Sequence, residues 1–105
     1  MFNFAKKMLI AAAAFSFTGL ATAQDTVKMG ALATLEGAFT VLGEDGMRGV
    51  QMALEEFGHR AGGKSIELIT GASDASPDSA VRAARKLVEQ DGVQVLVGPL
   101  SGSEG

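Results

Sequence analysis

Three short runs rich in aliphatic and β-branched residues punctuate this chain, and the segments between them are too long for hairpin turns. The runs are Thr26 to Leu32, Ser65 to Thr70 and Val93 to Val97. Between the first two, Met47, Val50, Leu54 and Phe57 recur at helical spacing, one face of an α-helix. Between the second and third, Val81, Ala84, Leu87 and Val88 form a second buried stripe, with Arg82, Arg85, Lys86 and Glu89 on the opposite face. Strands joined through helices of this length pair in parallel, by right-handed crossovers. The third run is nearly all apolar, as a strand is when helices cover both faces of its sheet. The expected fold class is therefore α/β, a doubly wound parallel sheet.

Local signals set the boundaries. Ala33 to Gly43 reads as a loop after the first strand. Gly58 and Ala61-Gly62-Gly63 end the first helix and turn the chain, and Ser73 to Pro77 is a connector. Ser76 is placed to accept from the orphan N–H groups of the second helix, and Pro77 sits where its missing N–H costs nothing. Asp78 adds negative charge at the positive helix end. Asp91-Gly92 stops that helix, and Gly98-Pro99 stops the third strand.

The first residues are set apart from this pattern. Lys6 and Lys7 precede an almost unbroken apolar run from Met8 to Leu20, and Ala21-Thr22-Ala23 follows with small residues around a cleavage point. This is the layout of a secretory signal peptide. The apolar run is shorter than the about 20 residues a membrane span requires. Residues 1–23 are read as the signal, which leaves residues 24–105 as the mature segment. Export without a lipid-carrying cysteine points to a soluble periplasmic protein of a Gram-negative bacterium.

Composition narrows the chemistry. The chain is 47% hydrophobic and 20% charged, which argues for a folded protein. It has no cysteine, so disulfide scaffolds, thiol catalysis and cysteine-ligated zinc are excluded. Its net charge is −3, and it has neither Trp nor Tyr, a poor profile for binding nucleic acid. The basic residues of the second helix are balanced by Asp78 and Glu89 and read as a solvated face. Gly43, Gly46 and Gly49 do not form the dinucleotide fingerprint, no phosphate-binding loop motif is present, and Ser103 lacks the glycine two places earlier that a nucleophile elbow needs. His59 is the only histidine and sits at a helix end. No catalytic residue, metal or cofactor is expected.

Three strands and two helices leave one sheet edge and part of one face uncovered, and Leu100 to Gly105 reads as a loop entering a third helix. A chain of this size buries only about 60–65% of its unfolded surface. The segment is read as the N-terminal part of a longer protein, against the alternative of a minimal domain that covers its edge by dimerising.

In open α/β sheets ligands bind beyond the carboxyl ends of the strands, at a topological switch point. In a 2-1-3 strand order two loops meet there. In the second, Ser101 and Ser103 bring hydroxyls and Gly102 lets the backbone approach a ligand. A helix starting near Ser103 would offer free N–H groups to a carboxylate, although either serine could simply cap it. The first loop brings Phe39, an apolar wall or plain loop packing, and Glu36, an ammonium partner or an exposed carboxylate.

The run from Val27 to Phe57 resembles the start of periplasmic leucine/isoleucine/valine-binding-type proteins of amino-acid ABC transporters. The resemblance rests on Gly30-Ala31 at the end of a strand, Leu35-Glu36-Gly37 in the loop, Gly43 with Gly49 at the helix start, and Ala53-Leu54-Glu55-Glu56 near its end. It continues through Gly62-Gly63-Lys64, Ser73-Asp74 with Pro77, and Lys86-Leu87-Val88 with Asp91 and Val93, into Val97-Gly98-Pro99. No single motif is specific, but the ordered set is strong, and it covers nearly the whole mature segment.

The resemblance implies part of the first lobe of a type I periplasmic-binding fold, two α/β lobes that close on a ligand about a hinge. It implies that Ser101 to Ser103 hold the ligand's carboxylate and that the acidic partner of an ammonium comes from the second lobe. The family commonly has consecutive serines here, so the Gly102 N–H would replace one hydroxyl. Leu35-Glu36-Gly37 departs from the usual Ser/Thr-Gly. The implied function is capture of an amino acid or similar small carboxylate for an inner-membrane ABC permease. A sensory ligand-binding domain of the same fold and a secreted α/β enzyme with downstream catalytic residues are the alternatives.

Overall fold

The computed structural model describes residues 25–105; the signal-peptide reading over residues 1–23 lies outside them. Four strands form one sheet: β1 (Thr26–Thr34), β2 (Arg60–Ala61), β3 (Lys64–Ser73) and β4 (Val95–Val97). Helix α1 (Thr40–Glu56) joins β1 to β2, and α2 (Pro77–Arg85) follows β3. The strand order is β2-β3-β1-β4. Strand β1 pairs in parallel with β3 on one side and with β4 on the other, so the three strands read from periodicity take the expected 2-1-3 order.

Pleat alternation decides which helix covers which face. Ala31 and Ala33 of β1 pack with Met47 of α1. Gly30 and Gly71, which point the other way from their respective strands, face the end of the second helical segment. A β-carbon on Gly30 or Gly71 would touch the Leu87 side chain. Leu87, 1% exposed, thus fills a notch left by two glycines on adjacent strands. Helices lie on both faces, which makes the sheet doubly wound.

Several boundaries differ from the sequence expectation, each for a physical reason. The loop expected over Ala33 to Gly43 is largely ordered structure: β1 runs to Thr34, a 3-10 turn covers Gly37–Phe39, and α1 begins at Thr40. The sheet is not wholly parallel, because β2 pairs antiparallel with β3. Gly62 and Gly63, both at positive φ, supply the two-residue hairpin turn that makes this possible. The third strand is shorter than expected, since Val93 is buried before the strand begins at Val95.

The stripe expected on the second helix also shifts. Ala80 is 2% exposed, whereas Val81 and Val88 are each about half exposed. The close approach of the helix to Gly71 selects small side chains, with Leu87 the single large one. Phe57, expected on the buried face of α1, is exposed. Val95, Leu96 and Val97 are also exposed among the described residues, so helices do not cover both faces of β4 here. The helix ends in a widened π turn over Lys86–Gln90, closed by Asp91 N–H donating to the Lys86 carbonyl at 3.0 Å.

Candidate functional site

The site is built at the carboxyl ends of the strands. Leaving β3, the chain turns at Asp74, whose carboxylate accepts from Ser76 N–H at 2.9 Å and from the Ser79 hydroxyl at 2.6 Å. Ser76 in turn accepts from Ser79 N–H as the N-cap of α2, in line with its sequence position. Hydrogen bonding from Ser76, and next from the Ser79 hydroxyl, holds the Asp74 carboxyl down at about 2. This network fixes Ala75, a non-glycine residue at φ +75°, with its carbonyl toward the loop after β4.

That loop ends in a 3-10 turn, Gly102–Glu104, and its N-cap is Ser101 rather than Ser103. The Ser101 hydroxyl accepts from Ser103 N–H at 3.3 Å. The Ser103 hydroxyl donates to the Ala75 carbonyl at 3.0 Å, and a carbonyl can only accept. The 2.8 Å contact between the two hydroxyls must therefore have Ser101 as donor. Both hydroxyl protons are used inside the protein. The Gly102 N–H, by contrast, donates to no group among the described residues.

Beside this turn lies a hollow of about 290 Å³, lined by Thr34, Phe39, Leu42, Ala75, Leu100 and Ser101. Its walls come from the last residue of β1 and the segments that follow β1, β3 and β4, and β1 is the strand at which the crossovers reverse direction. The structure thus brings together Phe39 and Ser101, with Gly102 and Ser103 in the same turn. It does not bring Glu36 with them: Glu36 lines a separate hollow with Arg82 and Lys86, and is exposed.

Sequence reasoning misses Leu42, Leu100, Thr34 and Ala75. Leu42 is hidden because the start of α1 carries no helical signal of its own, and Thr34 and Ala75 line the hollow through placement alone. Glu104 is missed as well, although its carboxylate accepts from Ser101 N–H at 3.1 Å. The Ser-x-x-Glu spacing from Ser101 to Glu104 is the available signal.

Comparison with known proteins adds what geometry alone does not. A family model described as periplasmic binding protein matches residues 26–105. The chain is 31% identical over 94 residues to the Leu/Ile/Val-binding protein homolog 6 of Brucella abortus, a match covering 89% of this chain and 24% of that protein. Among solved structures, it is similar to a branched-chain amino acid transporter substrate-binding protein from Streptococcus pneumoniae in complex with isoleucine. That match has a TM-score of 0.68 at 27% identity and covers 75% of this chain and 23% of the other. It is also similar to a solute-binding protein of an ABC transporter from R. palustris in complex with benzoate, with a TM-score of 0.64 at 29% identity over 70% of this chain and 20% of that one. The chain thus spans about a quarter of the length of the relatives it matches.

Proposed function

The chain belongs to the periplasmic binding protein family, and on that premise we propose that it forms part of the first lobe of an ABC-transporter solute receptor that captures a small carboxylate. The protein works in the periplasm, after removal of residues 1–23, and delivers its ligand to an inner-membrane permease. No bond is made or broken.

The observation that carries this reading is the Gly102 N–H, which donates to no group among the described residues and follows Ser101 in the lining of an apolar hollow. The amide meets one oxygen of the ligand's carboxylate, a charge-assisted bond. Phe39, Leu42 and Leu100 receive the ligand's apolar body. For the Ser103 hydroxyl to join, it must leave the Ala75 carbonyl, so the amide is the contact available without rearrangement. The second lobe then closes over the ligand, and the contacts made only in the closed state shift the equilibrium toward it.

Two ligand types fit this half-site. An amino acid is the first, and its ammonium group needs an acidic partner from the second lobe, since Glu36 faces elsewhere. An aromatic acid is the second, favoured by the apolar lining, because it needs no such partner. Calorimetric titration of the full-length protein with L-isoleucine and with benzoate separates them. Binding of either supports carboxylate capture; heat with neither, and with no other carboxylate of a wider panel, contradicts it.

A further inference from the structure

Thr34 and Ser73 are the last rung of the β1–β3 ladder, and both are fully buried. Each carries a hydroxyl proton that needs an acceptor, because an unpaired buried donor is costly. One side chain serves both. Glu104, 8% exposed, accepts from the Ser73 hydroxyl through Oε1 and from the Thr34 hydroxyl through Oε2, the latter at 3.4 Å. The same Oε2 accepts from Ser101 N–H at 3.1 Å. A glutamate that only closed its own turn would face solvent. This one is buried and joins three segments: the end of β1, the end of β3 and the turn after β4.

We propose that Glu104 is the positioning residue of the candidate site: its carboxylate pins the Ser101–Glu104 turn to the ends of β1 and β3 and so fixes Ser101 in the wall of the hollow, with Gly102 next to it. The proposal rests on the solute-binding reading above for its functional meaning. Its structural content stands apart from any ligand. Thr34 connects the two directly, because it lines the hollow and bonds Glu104. Without the carboxylate, the turn keeps only the Ser103 hydroxyl bond to Ala75 as a side-chain tie to the β3 side.

The test compares full-length wild-type protein with Glu104→Leu, which keeps bulk and removes every acceptor, and with Glu104→Gln, which keeps one oxygen for Ser101 N–H and Thr34. Amide hydrogen exchange without ligand is the first readout. Glu104→Leu is expected to speed exchange at Ser101 at least about tenfold while β1 and β3 stay protected, and Glu104→Gln to restore most of the protection. Affinity for benzoate and L-isoleucine is the second. Whichever probe the wild type binds is expected to bind Glu104→Leu at least about tenfold more weakly at a temperature where the variant is folded, and Glu104→Gln within about threefold of wild type. Should Glu104→Leu fail to fold, the double substitution Thr34→Val with Ser73→Ala removes the anchor from the other side and is expected to loosen the same turn. Wild-type exchange at Ser101 in whichever of these folds, or undiminished affinity, overturns the proposal. A wild-type protein that binds neither probe counts against the solute-binding reading alone, and the exchange measurement still decides the role of Glu104.

Discussion

Gly43, in the first turn of α1, lies directly against the carbonyl of Thr34 at the end of β1, so that a β-carbon at position 43 would overlap that carbonyl oxygen. The contact seats the start of α1 on the strand whose end forms the candidate site. Alanine in place of a helical glycine ordinarily stabilises by about 0.5–1 kcal/mol. At Gly43 the sign reverses, because the new methyl meets backbone. Gly43→Ala is expected to destabilise by about 1–3 kcal/mol, the usual cost of overpacking. A β-carbon on Gly49, in the same helix, would meet nothing within 4 Å among the described residues, and Gly49→Ala is expected to stabilise. Urea midpoints of the two variants check both signs.

Asp74 makes the fold sensitive to acid. Its carboxyl sits at about 2 in the folded protein against an ordinary value of 3.8. A lowered folded value means that the contribution to stability is complete above the ordinary value and is lost as pH falls through about 2. The stability difference between wild type and Asp74→Asn is therefore expected to shrink as pH drops from about 4 to about 2. Urea unfolding of both proteins across that range measures it; a constant difference contradicts the assignment.

Leu87 plugs the notch formed by Gly30 and Gly71. Leu87→Ala leaves a cavity that neither glycine can fill, and a loss of about 2–5 kcal/mol is expected. The same packing is probed from the other side by Gly71→Ala, whose methyl would meet the Leu87 side chain at 2.7 Å and is also expected to destabilise. Thermal or denaturant unfolding of each variant tests the pair.

The order of strands and helices is legible in the sequence because each element carries its own period: the Met47, Val50, Leu54 series is helical whatever its neighbours. The Ser76-Pro77 helix start is legible for the same local reason. The buried face of the second helix is not. Periodicity finds Leu87 correctly but also favours Val81 and Val88, which are exposed, while the close approach to glycines of two strands distant in sequence decides for Ala80 beside Leu87. The turn at Gly62-Gly63 is visible in composition, but its hairpin is not, because the partner strand has only two residues. Of the site, Ser101 to Ser103 and Phe39 follow from the switch-point rule. The same rule brings in Glu36 from the same loop, yet Glu36 lines a different hollow. That the serine protons are already spent follows from the Ala75 carbonyl, which no spacing in the sequence announces.

If the Gly102 amide holds a ligand's carboxylate, as proposed, Gly102→Pro abolishes that contact. Gly102 is the first residue of its turn, where proline is tolerated, and Ser101 before it is extended at φ −100° and ψ 138°, as a residue preceding proline must be. The substitution thus removes the N–H and preserves the turn. Titration of full-length wild type and Gly102→Pro with benzoate and L-isoleucine is expected to show affinity for the bound probe falling by about tenfold or more, the loss of one hydrogen bond to a charged group, with unfolding unchanged. Equal affinity in the two proteins would contradict the account.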